Sequence, residues 1–227
     1  MNTILKKFVH SGVDFISRLP EFGLKEEIRN IFYQDVVSER IIEYAWVVRH
    51  IPGGGKVVLD VGCRYSNLVL TLASLGYKTY GIDIEPYPYS HRNLKFVTGD
   101  IRKTNFKKNF FNTVIAVSTV EHIGLGFYEK TKKDIDGDKK AVEEIIRILK
   151  PKGKFILTVP YGKWRITKSY RVYDEKHLKQ LLGGFKILLL EYFIREEREW
   201  IPSSRSRSSE VDSPSVVNSV VFAVCQK

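Results

Sequence analysis

Residues 56–67 read Lys-Val-Val-Leu-Asp-Val-Gly-Cys-Arg-Tyr-Ser-Asn, and no other stretch narrows the possible folds as much. Val57, Val58 and Leu59 form an apolar run of strand length closed by Asp60, a pattern that suits a strand buried on both faces. Gly62 follows where the chain must turn tightly and let backbone approach a ligand. Ser66 is placed to cap a helix through Leu68, Val69, Leu72, Ala73 and Leu75, which Gly76 stops. Strand, glycine turn and helix, in that order, is the unit from which a doubly wound α/β sheet builds a ligand site at its carboxyl edge. A plain strand-to-helix turn capped by Asp60 fits the same residues, so the rest of the chain must decide.

The next segments repeat the pattern. A second strand over 78–82 ends at Asp83, 23 residues beyond Asp60. One carboxylate there offers two acceptor oxygens, enough for both hydroxyls of a ribose. A third strand over 94–97 leads to Gly99, Asp100 and Ile101, and Asp100 can accept from an adenine amino group. A fourth strand over 112–117 runs into Ser118, Thr119, Val120, Glu121 and His122, so a Glu-His pair sits just past a central strand. Gly124, Gly126, Phe127 and Tyr128 make the loop after it glycine-rich and aromatic. Residues 138–149 read as an amphipathic helix, with Ala141, Val142, Ile145, Ile146, Ile148 and Leu149 on one face. A fifth strand over 154–159 precedes Tyr161 and a basic, aromatic loop with Trp164 and Arg165. Asp174 is expected to cap a helix through Leu178, Leu181 and Leu182. Residues 185–194 and 216–225 read as sixth and seventh strands. Between them, residues 203–209, Ser-Ser-Arg-Ser-Arg-Ser-Ser, are expected to form a mobile hairpin loop.

Ahead of the first strand, residues 1–35 read as helical, with a break at Pro20 and Gly23. Ser38 is expected to cap a further helix whose apolar face is Ile41, Ile42, Ala45, Trp46 and Val48. The expected division is an N-terminal helical extension over 1–54 and a single α/β domain over 55–227. The extension would pack on its own domain or join two copies into a homodimer. At 227 residues and 43% hydrophobic content the chain can bury a full core. Cys63 and Cys225 give neither a disulfide framework nor metal spacing, which fits a cytoplasmic setting. No apolar run approaches the roughly 20 residues of a membrane span. The net charge of +11 arises from 37 basic and 26 acidic side chains. The basic residues are spread along the chain without interleaved aromatics, so nucleic acid is possible as a partner but not favoured.

Taken in order, these segments resemble the class I S-adenosylmethionine-dependent methyltransferases. The resemblance rests on 57–63 for the first motif, Gly81, Ile82 and Asp83 for the second, and Gly99, Asp100 and Ile101 for the third. Residues 111–115 leading to Val120, Glu121 and His122 follow, and 149–154 before the fifth strand complete it. It covers about residues 55–225. The region 121–128, with Asp136, Gly137 and Asp138, also resembles an uncharacterised methyltransferase-like family. Three positions depart from the pattern: Arg64 and Ser66 stand where the family has its second and third glycines, and Asn112 stands where members often carry Asp.

The resemblance implies a Rossmann-like seven-stranded mixed sheet with the last strand antiparallel and helices on both faces. It implies S-adenosylmethionine as cofactor, held by Asp60, Gly62 and Cys63 at its methionine part and by Asp83 and Ile84 at the ribose. Asp100 and Ile101 would border the adenine, with Ser118 closing the site. His122 is the candidate base, with Glu121 orienting it or anchoring the loop. Tyr161, Trp164 and Arg165 are candidates for the acceptor pocket. No metal is expected, because Ser118 occupies the place where one magnesium-binding subgroup has an acid. A nicotinamide enzyme would want further glycines after Gly62. Asp/Asn-Pro-Pro-Tyr and Pro-Cys, which mark nucleic-acid methylation, do not occur after the fourth strand. The expected reaction is methyl transfer to a small-molecule or glycan acceptor. The alternatives are a catalytically silent binding protein on the same fold and an RNA-directed enzyme.

Overall fold

The computed structural model describes residues 37–53, 56–127 and 133–227. The expectations for 1–35, the homodimer contact through them and the placement of Tyr128 lie outside the described residues. Residues 39–196 and 200–227 form the larger compact unit. In chain order the larger unit holds α1 (Arg40–His50), β1 (Val57–Val61), α2 (Leu68–Ser74), β2 (Lys78–Asp83) and β3 (Leu94–Thr98). Next come β4 (Phe111–Val117), a 3-10 turn (Val120–His122), α3 (Gly137–Ile148) and β5 (Leu149–Pro160). The short strands β6 (Arg165–Ile166) and β7 (Arg171–Val172) precede α4 (Glu175–Leu181) and β8 (Lys186–Glu196). Strand β9 (Glu199–Ser203), helix α5 (Arg205–Ser209) and β10 (Ser219–Gln226) complete the chain.

The main sheet runs β3-β2-β1-β4-β5-β10-β8-β9. Strands β1 to β5 are parallel, and β10 lies antiparallel between β5 and β8. The Rossmann-like α/β fold is as expected, with two differences. The sheet has eight strands rather than seven, because β9 adds to the β8 edge. A separate ribbon pairs β6 with β7. The order reverses between β1 and β4, and a crevice forms at that switch point.

Buried apolar side chains at alternate positions of β1, β4, β5 and β10 meet the face of α3. Leu59, Val114, Phe155 and Val221 pack with Ala141, Val142, Ile145 and Ile148. Each large one contributes about 1.5–3 kcal/mol by leaving water. Tyr80, Phe106, Phe110 and Phe111 meet edge to face beside them.

Two local expectations are corrected. Helix α1 has Glu39 at its N-cap, and the buried residues are Glu43, Trp46 and Val47. Ile41 and Val48, expected to be buried, are exposed. The helix turns this way because Glu43 and Trp46 find hydrogen-bond partners inside, Trp46 donating to Glu191 Oε2 at 2.6 Å. The Ser/Arg tract at 203–209 is not a loose loop. It ends β9 and forms α5, with Ser204 Oγ accepting from the Arg207 amide at 3.2 Å and Ser208 buried. Low complexity misled the reading, because serine supplies both the cap and a side chain small enough to bury.

Candidate active site

The turn after β1 sets the cleft. Gly62 has φ +74°, and a Cβ there would lie 2.3 Å from Thr119 Cγ2, so glycine is required twice over. Its amide donates to Ile82 O at 2.9 Å. Ser66 Oγ accepts from the Leu68 amide at 3.0 Å just ahead of α2, but the N-cap of that helix is Asn67 rather than the expected Ser66. Arg64, in place of a family glycine, donates its amide to Asp83 Oδ2 at 2.9 Å. Glu85 donates its amide to Asp83 Oδ1 at 3.1 Å. The bulkier loop therefore braces Asp83 through the main chain, leaving each carboxylate oxygen capacity for another donor.

The cleft is lined by Gly62, Asp83, Ile84, Asp100, Ile101 and Ser118 from the expected set, and by His122. Ile101 is buried and Ile84 is partly exposed, forming apolar walls. Asp100 is held by Arg102, whose Nε donates to both carboxylate oxygens at 3.1 and 2.9 Å. Asp60 and Cys63 are buried beside the cleft rather than in its lining. Asp60 Oδ2 is buried without a hydrogen-bond partner. Burial lifts its pKa to about 7, with Arg40 opposing the rise and Asp83 adding to it. Burial also pushes the Cys63 thiol upward, which keeps it protonated and unreactive.

Sequence reasoning missed the contribution of α1. Arg40 lines the cleft, with Nη1 donating to Tyr44 Oη at 3.2 Å. One turn on, Glu43 is fully buried, and its Oε1 accepts from Ser118 Oγ and Thr158 Oγ1, both at 2.6 Å. Ser118 has φ +43°, and its amide is held by Thr158 O at 3.1 Å and Thr158 Oγ1 at 3.0 Å. This grip secures a left-handed non-glycine residue where β4 turns toward Glu121. The available signal was an acid set inside the otherwise apolar run 41–48.

His122 Nδ1 lies 2.5 Å from Ser169 O. Because a carbonyl oxygen only accepts, Nδ1 carries the proton and Nε2 carries the lone pair. Burial lowers the His122 pKa to about 4, against the pull of the Ser169 carbonyl. Nε2 is 3.7 Å from Glu121 Oε1. That spacing would suit an ion pair, yet burial also raises Glu121 well above the usual carboxylate range. The pair therefore rests as neutral imidazole beside neutral carboxyl, since desolvation penalises both charges.

Arg171, fully buried on β7, fastens the backbone around this pair. Its Nη1 donates to Ile123 O at 2.8 Å and Glu121 O at 3.2 Å, and its Nη2 donates to Ile135 O at 2.9 Å. Gly124, φ +84°, lets the strands of this loop base touch, for a Cβ there would lie 2.0 Å from Asp134 O. The three candidates for an acceptor pocket are not brought to the cleft. Tyr161 is buried against Tyr192, Trp164 stacks on His177 at 3.6 Å, and Arg165 pairs with Asp212 at 2.9 Å. Trp164 and Arg165 already make their preferred contacts within the fold, and Tyr161 Oη is buried without a hydrogen-bond partner.

Sheet order, glycine turn, strand-tip carboxylates and the crevice at the switch point together define the fold of a class I S-adenosylmethionine-dependent methyltransferase, and residues 59–157 match the family model described as a methyltransferase domain. Among known proteins, the sequence is 30% identical over 134 residues to sterol 4-C-methyltransferase strm-1 of Caenorhabditis elegans. That match takes in 54% of this chain and 35% of the other, so the chain spans about a third of that relative's length. The structure is similar to Burkholderia thailandensis 1,6-didemethyltoxoflavin-N1-methyltransferase, solved with 1,6-didemethyltoxoflavin and S-adenosylhomocysteine bound. The TM-score is 0.62 at 16% identity, covering 100% of this chain and 91% of that one. It is also similar to the [4+2]-cyclase SpnF, with TM-score 0.58 at 17% identity, covering 82% and 80%. At these identities the likeness is one of fold.

Proposed function

We propose that this protein transfers a methyl group from S-adenosylmethionine to a small-molecule acceptor, with residues 55–227 as the catalytic domain, in the cytoplasm. The observation that carries the reading is the pairing, in one cleft, of a braced ribose-type carboxylate with a neutral histidine of fixed tautomer. The residues fit the cofactor: Gly62 leaves a cradle that a Cβ would fill, and Asp60 Oδ2 is a buried acceptor without a donor. When bound, S-adenosylmethionine supplies a methyl group made electrophilic by its sulfonium.

The chain's own residues would divide the work. Asp83 accepts from the ribose hydroxyls, and Ile84 and Ile101 flank the base. Arg40 offers a guanidinium to the methionine carboxylate, and Asp60 balances the ammonium from below. Asp100, stiffened by Arg102, borders the adenine. His122 presents Nε2 toward the acceptor side and takes its proton as the nucleophile forms its new bond. Its low basicity keeps it unprotonated throughout the neutral range. Glu121 Oε1, 3.7 Å away, stands beside the imidazolium so formed. Positioning accounts for most of the expected rate, since methyl transfer needs in-line approach near 3 Å.

The deciding experiment is calorimetric titration with S-adenosylhomocysteine, followed by transfer from methyl-labelled S-adenosylmethionine to a fractionated metabolite extract. Binding with label appearing in a small-molecule fraction supports the reading. Binding without transfer points to a ligand-binding protein, and the absence of binding removes the cofactor assignment.

A further inference from the structure

The net charge of +11 is not spread evenly once the chain is folded. In a parallel sheet the strand N-termini gather at the edge opposite the cleft. Lys78 opens β2, Lys107 and Lys108 precede β4, Lys152 lies near the start of β5, and Lys186 opens β8. Because β10 runs antiparallel, Lys227 arrives at the same edge from the other direction. Contacts tie these positions together. The Lys78 amide donates to Lys56 O at 3.2 Å, the Lys152 amide to Lys227 O at 3.1 Å, and Lys227 Nζ to Asn109 Oδ1 at 2.9 Å. Gln226 sits opposite both Lys154 and Lys186.

The segments that build this edge are 50–53 with Lys56, 75–78, 104–112, 147–154, 183–187 and 225–227. They carry nine lysines and no Asp or Glu. Arg147, the arginine among them, is held by Glu144 at 2.7 Å. Helices α1 to α4 end here, each with about half a negative charge at its C-terminus, so their dipoles offset only about two of those lysines. Asp83, Glu85 and Asp100 line the cleft at the opposite edge. The fold thus converts a chain-wide excess of basic residues into a one-sided field.

We propose that this lysine edge docks the protein onto the surface of an anionic lipid bilayer. Three observations favour a bilayer over nucleic acid. The cations are lysines, point charges without the fork that reads bases or phosphates bidentately. Among the described residues these segments show no exposed aromatic ring on which a base could stack. Exposed Leu75 and Ile187 stand at the same edge, and apolar side chains beside lysines suit the headgroup boundary. Docking in this pose turns the cleft away from the lipid, toward solvent.

The inference stands apart from the methyltransferase reading and is tested separately from it. Sedimentation with phosphatidylcholine vesicles, with and without phosphatidylserine, is read at low and high salt. Binding should require phosphatidylserine and fall steeply with salt. Each lysine at the surface is worth about fivefold in affinity, so neutralising three of them should weaken binding about a hundredfold, and K107E/K108E/K152E, which also reverses their charge, should weaken it further. The variant's melting temperature and S-adenosylhomocysteine affinity should match those of the unaltered protein. The milder K107Q/K108Q/K152Q serves if the reversed charges impair folding. Equal binding to pure phosphatidylcholine, indifference to the substitutions, or lysine-dependent capture of an RNA oligonucleotide with no vesicle binding would each overturn the proposal.

Discussion

Replacing Asp60 with Asn tests whether a buried carboxylate is kept for a ligand at the expense of stability. Burial raises its pKa from 3.8 to about 7, and Oδ2 has no partner in the fold. An acid whose folded pKa is raised holds its proton more tightly in the native state. Its unfavourable contribution is absent below about pH 4 and grows as pH rises toward 7. With the unfolded value at 3.8, the penalty is about 2 kcal/mol at pH 5 and about 4 kcal/mol at pH 8. Asn removes that charge but leaves an amide with poor partners, at a cost of about 1–3 kcal/mol. The variant should therefore be near neutral in stability at pH 5 and more stable than the parent at pH 8. The difference between the two pH values should be about 2–3 kcal/mol. Urea denaturation at both pH values measures it, and the parent-minus-variant difference cancels the similar upward shift at Glu43. Affinity for S-adenosylmethionine should fall about tenfold, because the ammonium loses its counter-charge. A variant destabilised equally at both pH values would refute the reasoning, showing that the Asp60 carboxylate is satisfied within the protein.

Asp83→Ala should weaken S-adenosylhomocysteine binding by about 1–3 kcal/mol in calorimetry, and unchanged affinity would remove Asp83 from the site. His122→Ala should lower kcat with little change in cofactor affinity. In the parent's pH-rate profile His122 should contribute no limb near neutrality, since burial holds its pKa at about 4. Gly62→Ala should lose binding and stability together in a thermal melt with and without ligand, because the new methyl overlaps Thr119 and the backbone is left-handed. Arg171→Met should destabilise by about 3–5 kcal/mol in urea, since Asp138 would remain buried without its cation.

What the sequence made legible was periodic and local. The strands carrying Asp60 and Asp83, the glycine turn and the cap at Asp174 each depend on neighbours a few residues away. The Asp174 cap is present as read, accepting from the His177 amide at 2.8 Å. The roles of Glu43, Arg171 and Thr158 depend on partners 36 to 115 residues distant, which no periodicity encodes. The rotation of α1 was misread for the same reason: apolar spacing favoured Ile41 and Val48, but a buried glutamate with two hydroxyl donors set the face. Arg165 and Trp164 have the chemistry of a substrate pocket, and only the fold shows that Asp212 and His177 already claim them.

The position of β10 has a consequence for how the chain is made. Strand β8 cannot reach β5 directly, because residues 219–226 lie between them and pair with both. On the ribosome, every preceding strand emerges before the one that joins them. Until it does, β5 presents an open edge to any passing polypeptide. Closure of the sheet is therefore a late event, and shortening the chain by those eight residues would leave two unmatched edges rather than a slightly smaller enzyme.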